Sequence, residues 1–115
     1  MVENAARIGR DIIGPALTKM ADDHACLGEV RGVGAFWALE LVRDKETREP
    51  LAPYGGSSPA MDAVVAECKK NGLLPFVNYN RIHVVPALNI PDDQLQEGLQ
   101  ILDAALAVGD AQAKG

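Results

Sequence analysis

Aromatic side chains are the scarcest apolar material in these 115 residues: Phe36, Trp37, Tyr54, Phe76 and Tyr79 are all there are. A core must therefore be built from aliphatic residues and alanine, which the hydrophobic fraction of 48% supplies. Cysteine is nearly as rare. Cys26 and Cys68 lie far apart and form no CxxC pair, which excludes a disulfide framework and reads as reduced thiols in a cytoplasmic protein. Basic runs are missing as well: 11 Lys+Arg stand against 16 Asp+Glu, a net charge of −5. That balance argues against a nucleic-acid partner or a polybasic membrane patch. No uncharged apolar run approaches the ~18 residues of a membrane span. The opening MVENAARIGRDIIG carries acidic residues and glycines where a signal peptide needs an unbroken apolar stretch. The chain reads as soluble and as one domain, large enough to bury roughly two-thirds of its unfolded surface.

What is present falls into alternating periodicities. Over residues 3–21, Ala5, Ile8, Ile12, Ala16 and Met20 recur at helical steps, with a kink expected at Gly14-Pro15 because proline lacks an amide proton and crowds the preceding turn. Residues 30–42 read as one strand, with Val33, Ala35, Trp37, Leu39 and Leu41 on an apolar face and Gly32, Gly34, Phe36, Ala38 and Glu40 on a second, smaller one. The glycines there suggest the close approach of another element. A charged turn over residues 43–49 leads to a possible antiparallel partner at 51–54. Ser58-Pro59 is a helix start, followed by Met61, Val64, Val65 and Cys68 at helical spacing and a stop at Asn71-Gly72. Residues 73–76 and 81–85 read as two short strands around Asn78-Tyr79-Asn80. Asp92 and Asp93 open a last helix with Leu95, Leu99, Leu102 and Leu106 as its stripe, and a frayed tail is expected past Gly109. The fold class expected is α+β, a small, mostly antiparallel sheet covered by helices. Its divisions are a helical lead-in at 1–27, the domain proper at 28–108 and a tail at 109–115.

Candidate chemistry is sparse. Gly32-Val33-Gly34 has the look of a dinucleotide fingerprint but sits at a strand start rather than between strand and helix, and lacks the third glycine. Asp22, Asp23, His24 and Cys26 are metal-ligand types, yet neighbouring positions cannot all converge on one ion, so the expectation is a solvated loop and no metal site. Cys68 falls on an apolar helix face and reads as a small core residue rather than a nucleophile; an unrelated small enzyme built on it is the weakest functional reading. Glu40, on the small-residue face, is expected to pair with Arg31 or Arg81. Arg81 and His83 stand two apart on a strand, about 6.6 Å from each other on one face, where an arginine fork and an imidazole donor suit a carboxylate.

Three stretches, MVENAARIG, GEVRGVGAFWALELVRDKETREP and NGLLPFVNYNRIHVVPALNIPDDQLQEGLQILDAAL, together resemble the C-terminal part of class III pyridoxal-phosphate-dependent aminotransferases. The most specific pieces are the V-R-G-x-G entry with Arg31, Gly32 and Gly34, running to Glu40 and Leu41, and the R-I-x-x-x-P-x-L run from Arg81 through Pro86 to Leu88. The resemblance implies the small C-terminal domain of such an enzyme, which transfers an amino group between an ω-amino acid or amine and an α-keto acid. It implies packing against a larger domain that holds pyridoxal 5'-phosphate through a Schiff-base lysine and an acid at the pyridine nitrogen, and a homodimer at full length. None of Lys19, Lys45, Lys69, Lys70 or Lys114 stands in the context of that lysine, so no cofactor is expected on this chain alone, which should not catalyse by itself. Many family members carry a substrate-carboxylate arginine three residues before a Pro-Pro pair. Here that position is His83, Ala87 replaces the second proline, and Arg81 is the nearest arginine. The carboxylate therefore falls to Arg81, to His83 or to a group elsewhere. The alternative is a stand-alone, non-catalytic carboxylate-binding or assembly module of the same fold.

Overall fold

A computed structural model describes residues 2–34, 36–52, 58–73, 76–84 and 90–111, and among these it has four α-helices and five strands. The N-terminal helical stretch is α1 (Val2–Ile8), a π-helical turn (Gly9–Ile13) and α2 (Gly14–Asp23). The expected kink takes the form of that widened turn, in which the Gly14 amide donates to the Gly9 carbonyl. Pro15 has no amide for the Asp11 carbonyl and its ring would crowd it. One wider turn removes the conflict and lets α2 restart with proline in its first turn.

The reading of residues 30–42 as a single strand is corrected. The chain forms a hairpin, β1 (Leu27–Val33) and β2 (Phe36–Asp44), reversing at Gly34, whose φ is +58°. A period-2 pattern runs on unbroken across a tight turn, so alternation alone did not show the reversal; the left-handed backbone that glycine admits did. From Trp37 onward the alternation holds: Leu39 and Leu41 are buried, whereas Val33 is 79% exposed. Two residues, β3 (Glu49–Pro50), pair with β2. Leu51 and Ala52 are buried but not in a strand, and 53–54 lie outside the described residues.

α3 (Pro59–Lys70) starts as expected, the Ser58 hydroxyl accepting from the Met61 amide at 3.1 Å and donating to the Leu51 carbonyl at 2.7 Å. It ends in a Schellman arrangement: Gly72, at φ +93°, donates to the Lys69 carbonyl and Leu73 to that of Cys68. Strands β4 (Phe76–Asn78) and β5 (Arg81–Val84) flank a turn at Tyr79-Asn80, so β4 begins later than expected. The buried Asn80 side chain ties this turn to β2 by donating to the Leu41 carbonyl at 2.9 Å. α4 (Asp92–Asp110) has acidic residues in its first turn and buries Leu95, Leu99, Leu102 and Leu106 as expected. It runs on through buried Gly109 to Asp110, past the point where a tail was expected.

The sheet order is β1-β2-β5-β4, with β3 also on β2, and every pairing is antiparallel. This is the α+β architecture expected. Residues directly opposite in an antiparallel ladder share a face. One face carries Val30, Trp37, Leu39, Ile82, Val84 and Val77, all packed into the core with the helices. The other carries Glu29, Arg31, Val33, Phe36, Ala38, Glu40, Arg81 and His83. Phe36 on that second face is 58% exposed.

Candidate functional site

The second sheet face gathers four residues singled out from the sequence: Arg31, Glu40, Arg81 and His83. Arg81 stands opposite Glu40, and His83 opposite Ala38, which is in turn opposite Arg31 on β1. Two cross-strand rows result, Glu29–Glu40–Arg81 and Arg31–Ala38–His83. Glu29 and Glu40 are direct neighbours of like charge, which an antiparallel pair disfavours unless cations stand by. Arg31 supplies one, 3.6 Å from Glu29 and 3.7 Å from Glu40, and Arg48 reaches Glu29 at 3.4 Å. Glu40 is half-buried and its ion-pair partner is therefore Arg31, the first of the two expected. The His83 ring lies 6.1 Å from that of Phe36, centre to centre, tilted by 53°. Arg81 and His83 are both half-buried, on the face opposite the one packed into the core. Pro86, the remaining motif residue, lies outside the described residues.

Of the glycine-rich entry, Gly32 makes room for the Trp37 indole, which lies where a Cβ would be. Gly34 turns the hairpin, and its carbonyl accepts from the Trp37 Nε1 at 2.7 Å. The same carbonyl is in contact range of Gly9, across which the helical lead-in packs on the hairpin end. The glycines are thus structural, and the close approach expected of them is real. Beside this contact runs an open groove of about 790 Å³, lined among others by Ala6, Gly14, Thr18, Val33 and Trp37. Its cations are already engaged: Arg10 with Asp11 and Lys19 with Asp23, both at 2.9 Å.

His24 differs from expectation. Instead of sitting in a solvated loop it is buried between two carboxylates of α4, with Nε2 2.6 Å from Asp103 and Nδ1 against Asp110. Burial opposes its charged form, but the two carboxylates outweigh that and hold the imidazolium above its ordinary range. Sequence distance hid this cluster, since the carboxylates come from 79 and 86 residues away. The Cys26 and Cys68 thiols are fully buried, and burial pushes both up and away from thiolate chemistry. Cys68 is a core residue, as its helix face indicated. Among the described residues no group of three or more His, Cys, Asp or Glu is placed to hold a metal ion, and no helix is long and apolar enough to cross a membrane.

Known proteins match this geometry closely. Residues 1–106 match the family described as aminotransferase class-III, and the chain belongs to that family. The structure superposes with a TM-score of 0.88 on taurine:2-oxoglutarate aminotransferase from Bifidobacterium kashiwanohense, solved in complex with PLP and glutamate, at 34% identity and covering 97% of this chain but 25% of that one. Taurine–pyruvate aminotransferase of Rhodobacter capsulatus is 33% identical over 114 residues, 92% of this chain and 23% of its own length. A probable 4-aminobutyrate aminotransferase of Bacillus subtilis is 35% identical over 107 residues, 90% of this chain and 23% of its own. The chain therefore spans about a quarter of the length of the relatives it matches.

Family membership brings PLP into question for this chain. Covalent capture of such a cofactor needs a lysine whose amine is freed by a lowered pKa in a desolvated site. Lys19, Lys45, Lys69 and Lys70 are all exposed. Asp23 raises Lys19, the opposite direction, and Lys45 donates to the Ala21 carbonyl at 2.6 Å. The described lysines do not fit the role. Lys114 lies outside the described residues.

Proposed function

We propose that this chain is the C-terminal domain of a PLP-dependent class III transaminase, an enzyme moving an amino group from an ω-amino acid or amine to an α-keto acid. The observation that carries the reading is the family match over residues 1–106 by a chain spanning a quarter of its relatives' length. On this reading the cofactor and its lysine belong to the remainder of the enzyme, which acts as a cytoplasmic homodimer. The exposed lysines support that division. So does the open sheet face, since a partly apolar surface carrying Val33 and Phe36 suits contact with more of the same protein. The lead-in at 1–27 joins the two parts, and the domain proper extends from 28 to the end of α4.

Arg81 and His83 are the residues this domain offers to the substrate carboxylate, an arginine and an imidazole in adjoining cross-strand rows on the open face. Two measurements test the reading. Borohydride reduction of residues 1–115 with pyridoxal phosphate should leave no stoichiometric single-site adduct, whereas the full-length enzyme should give one on a lysine outside these residues; a single-site adduct within them overturns it. In the full-length enzyme Arg81→Gln or His83→Asn should raise KM for the keto acid more than it lowers kcat. If neither substitution changes KM, carboxylate binding lies elsewhere.

A further inference from the structure

Three polar side chains are buried among the described residues: Ser58, Asn80 and His24. The first caps α3 and the second ties a turn to β2, so each has a structural account. His24 ends α2, its amide donating to the Met20 carbonyl at 2.9 Å, while its ring bridges Asp103 and Asp110. Those carboxylates are seven residues apart, two turns along one face of α4, or about 10 Å of helix rise. A neutral imidazole has one N–H donor and one bare nitrogen, and the bare nitrogen would then face a carboxylate lone pair. With both carboxylates ionised, only the doubly protonated ring satisfies both contacts. Asp110 uses its other oxygen to accept from the Cys26 amide at 2.9 Å. Behind it the Cys26 thiol donates to the Leu106 carbonyl at 3.3 Å and lies where a side chain at Gly109 would be, 2.8 Å from a Cβ.

We propose that protonated His24 is a clasp that holds the last two turns of α4 on the corner between α2 and β1, and that losing its proton releases this end of the helix and uncovers Cys26. The cations around the corner are two lysines, each already engaged. Lys19 of α2 pairs with Asp23 and acts on Asp103 of α4, and Lys45, in the turn after β2, holds the Ala21 carbonyl and faces the Cys26 side. Asp23 raises the Lys19 amine, further from neutrality. α3 presents Val64, an apolar group, to Gly109. A change in this corner at neutral to mildly alkaline pH therefore belongs to His24.

The test is ¹⁵N NMR of the histidine ring together with amide exchange, on the chain of residues 1–115. Both His24 nitrogens should show the imidazolium signature at pH 6. Through the His24 titration, protection at residues 104–110 should fall about tenfold, the loss of roughly one charge-assisted hydrogen bond, while α3 keeps its protection. Alkylation of Cys26, divided by the rate of the unfolded chain at the same pH, should rise in step. His24→Gln should show high exchange at 104–110 at every pH. Should that variant not fold, Asp103→Asn, at a half-exposed position, should shift the transition to lower pH. A neutral ring at pH 6, protection unchanged through the titration, or a midpoint indifferent to Asp103→Asn overturns the proposal.

Discussion

Replacing Gly9 by alanine sets helix propensity against packing, and the two predict opposite signs. In an ordinary helical position the change is favourable by about 0.8–1 kcal/mol. Gly9 is buried at the start of the π-helical turn, and a Cβ there falls on the Gly34 carbonyl. Both are main-chain positions, so neither can rotate away. The helical lead-in would have to move off the hairpin, and overpacking of this kind costs about 1–3 kcal/mol. The movement would also disturb Trp37, which donates to the same carbonyl at 2.7 Å. Net destabilisation is expected. Gly98→Ala is the control: in α4 the new methyl would meet, among the described residues, only Leu73 Cδ1, at 4.0 Å, an ordinary contact, so stability should rise by up to about 1 kcal/mol. Urea unfolding followed by circular dichroism reads both. With a slope of about 2 kcal/mol/M, each 1 kcal/mol moves the midpoint by about 0.5 M. A Gly9→Ala variant as stable as the parent, beside a stabilised Gly98→Ala, would refute the close approach of helix and hairpin.

Further outcomes follow from single contacts. Ser58→Ala removes both the acceptor for the Met61 amide and the donor to the Leu51 carbonyl, and should lower thermal stability by about 1–2 kcal/mol. Leu106→Ala empties a fully buried site between α4 and the core, at a cost of about 2–5 kcal/mol in denaturant unfolding. Trp37→Phe deletes one hydrogen bond to Gly34 and should cost about 0.5–1.5 kcal/mol. The pH dependence of stability has two limbs. His24 is raised on folding, so its contribution is complete below its ordinary value near 6.5 and is lost as pH rises through the folded value. Asp110 moves the other way: burial opposes its charge, but the Cys26 amide and His24 outweigh that and lower it. Its contribution is therefore present above the ordinary carboxylate range and is lost as pH falls through the folded value. Thermal melts across the pH range should show both limbs, and His24→Gln should remove the alkaline one.

Local signals in the chain were enough for α3 and α4. Ser58-Pro59 and Asn71-Gly72 bracket one, Asp92-Asp93 open the other, and their apolar stripes at helical spacing face the core as read, save Val65, which is half-buried. The Gly14-Pro15 break was legible for the same reason, because proline's missing amide is a property of the residue and not of its neighbours. The candidate carboxylate pair was legible as a pair, since the two-residue period of a strand puts Arg81 and His83 on one face wherever that strand lies. The family resemblance, carried by the glycine-rich entry and the Arg81–Leu88 run, agrees with the family to which the chain belongs.

Contacts between distant segments had no such local signature. The hairpin at Gly34 was invisible because apolar alternation runs through the turn, and only the backbone path separates exposed Val33 from buried Leu39. That Glu40 pairs with Arg31 depends on β1 lying beside β2, a matter of register between strands. His24 is the clearest case. In the sequence it is one polar residue in an acidic stretch, but packing α4 across the α2–β1 corner brings two carboxylates onto its ring and buries it. Propensity, capping and periodicity are short-range and belong to the sequence by itself. Burial, ionisation and which face of the sheet stays open are decided only when the tertiary structure sets distant residues side by side.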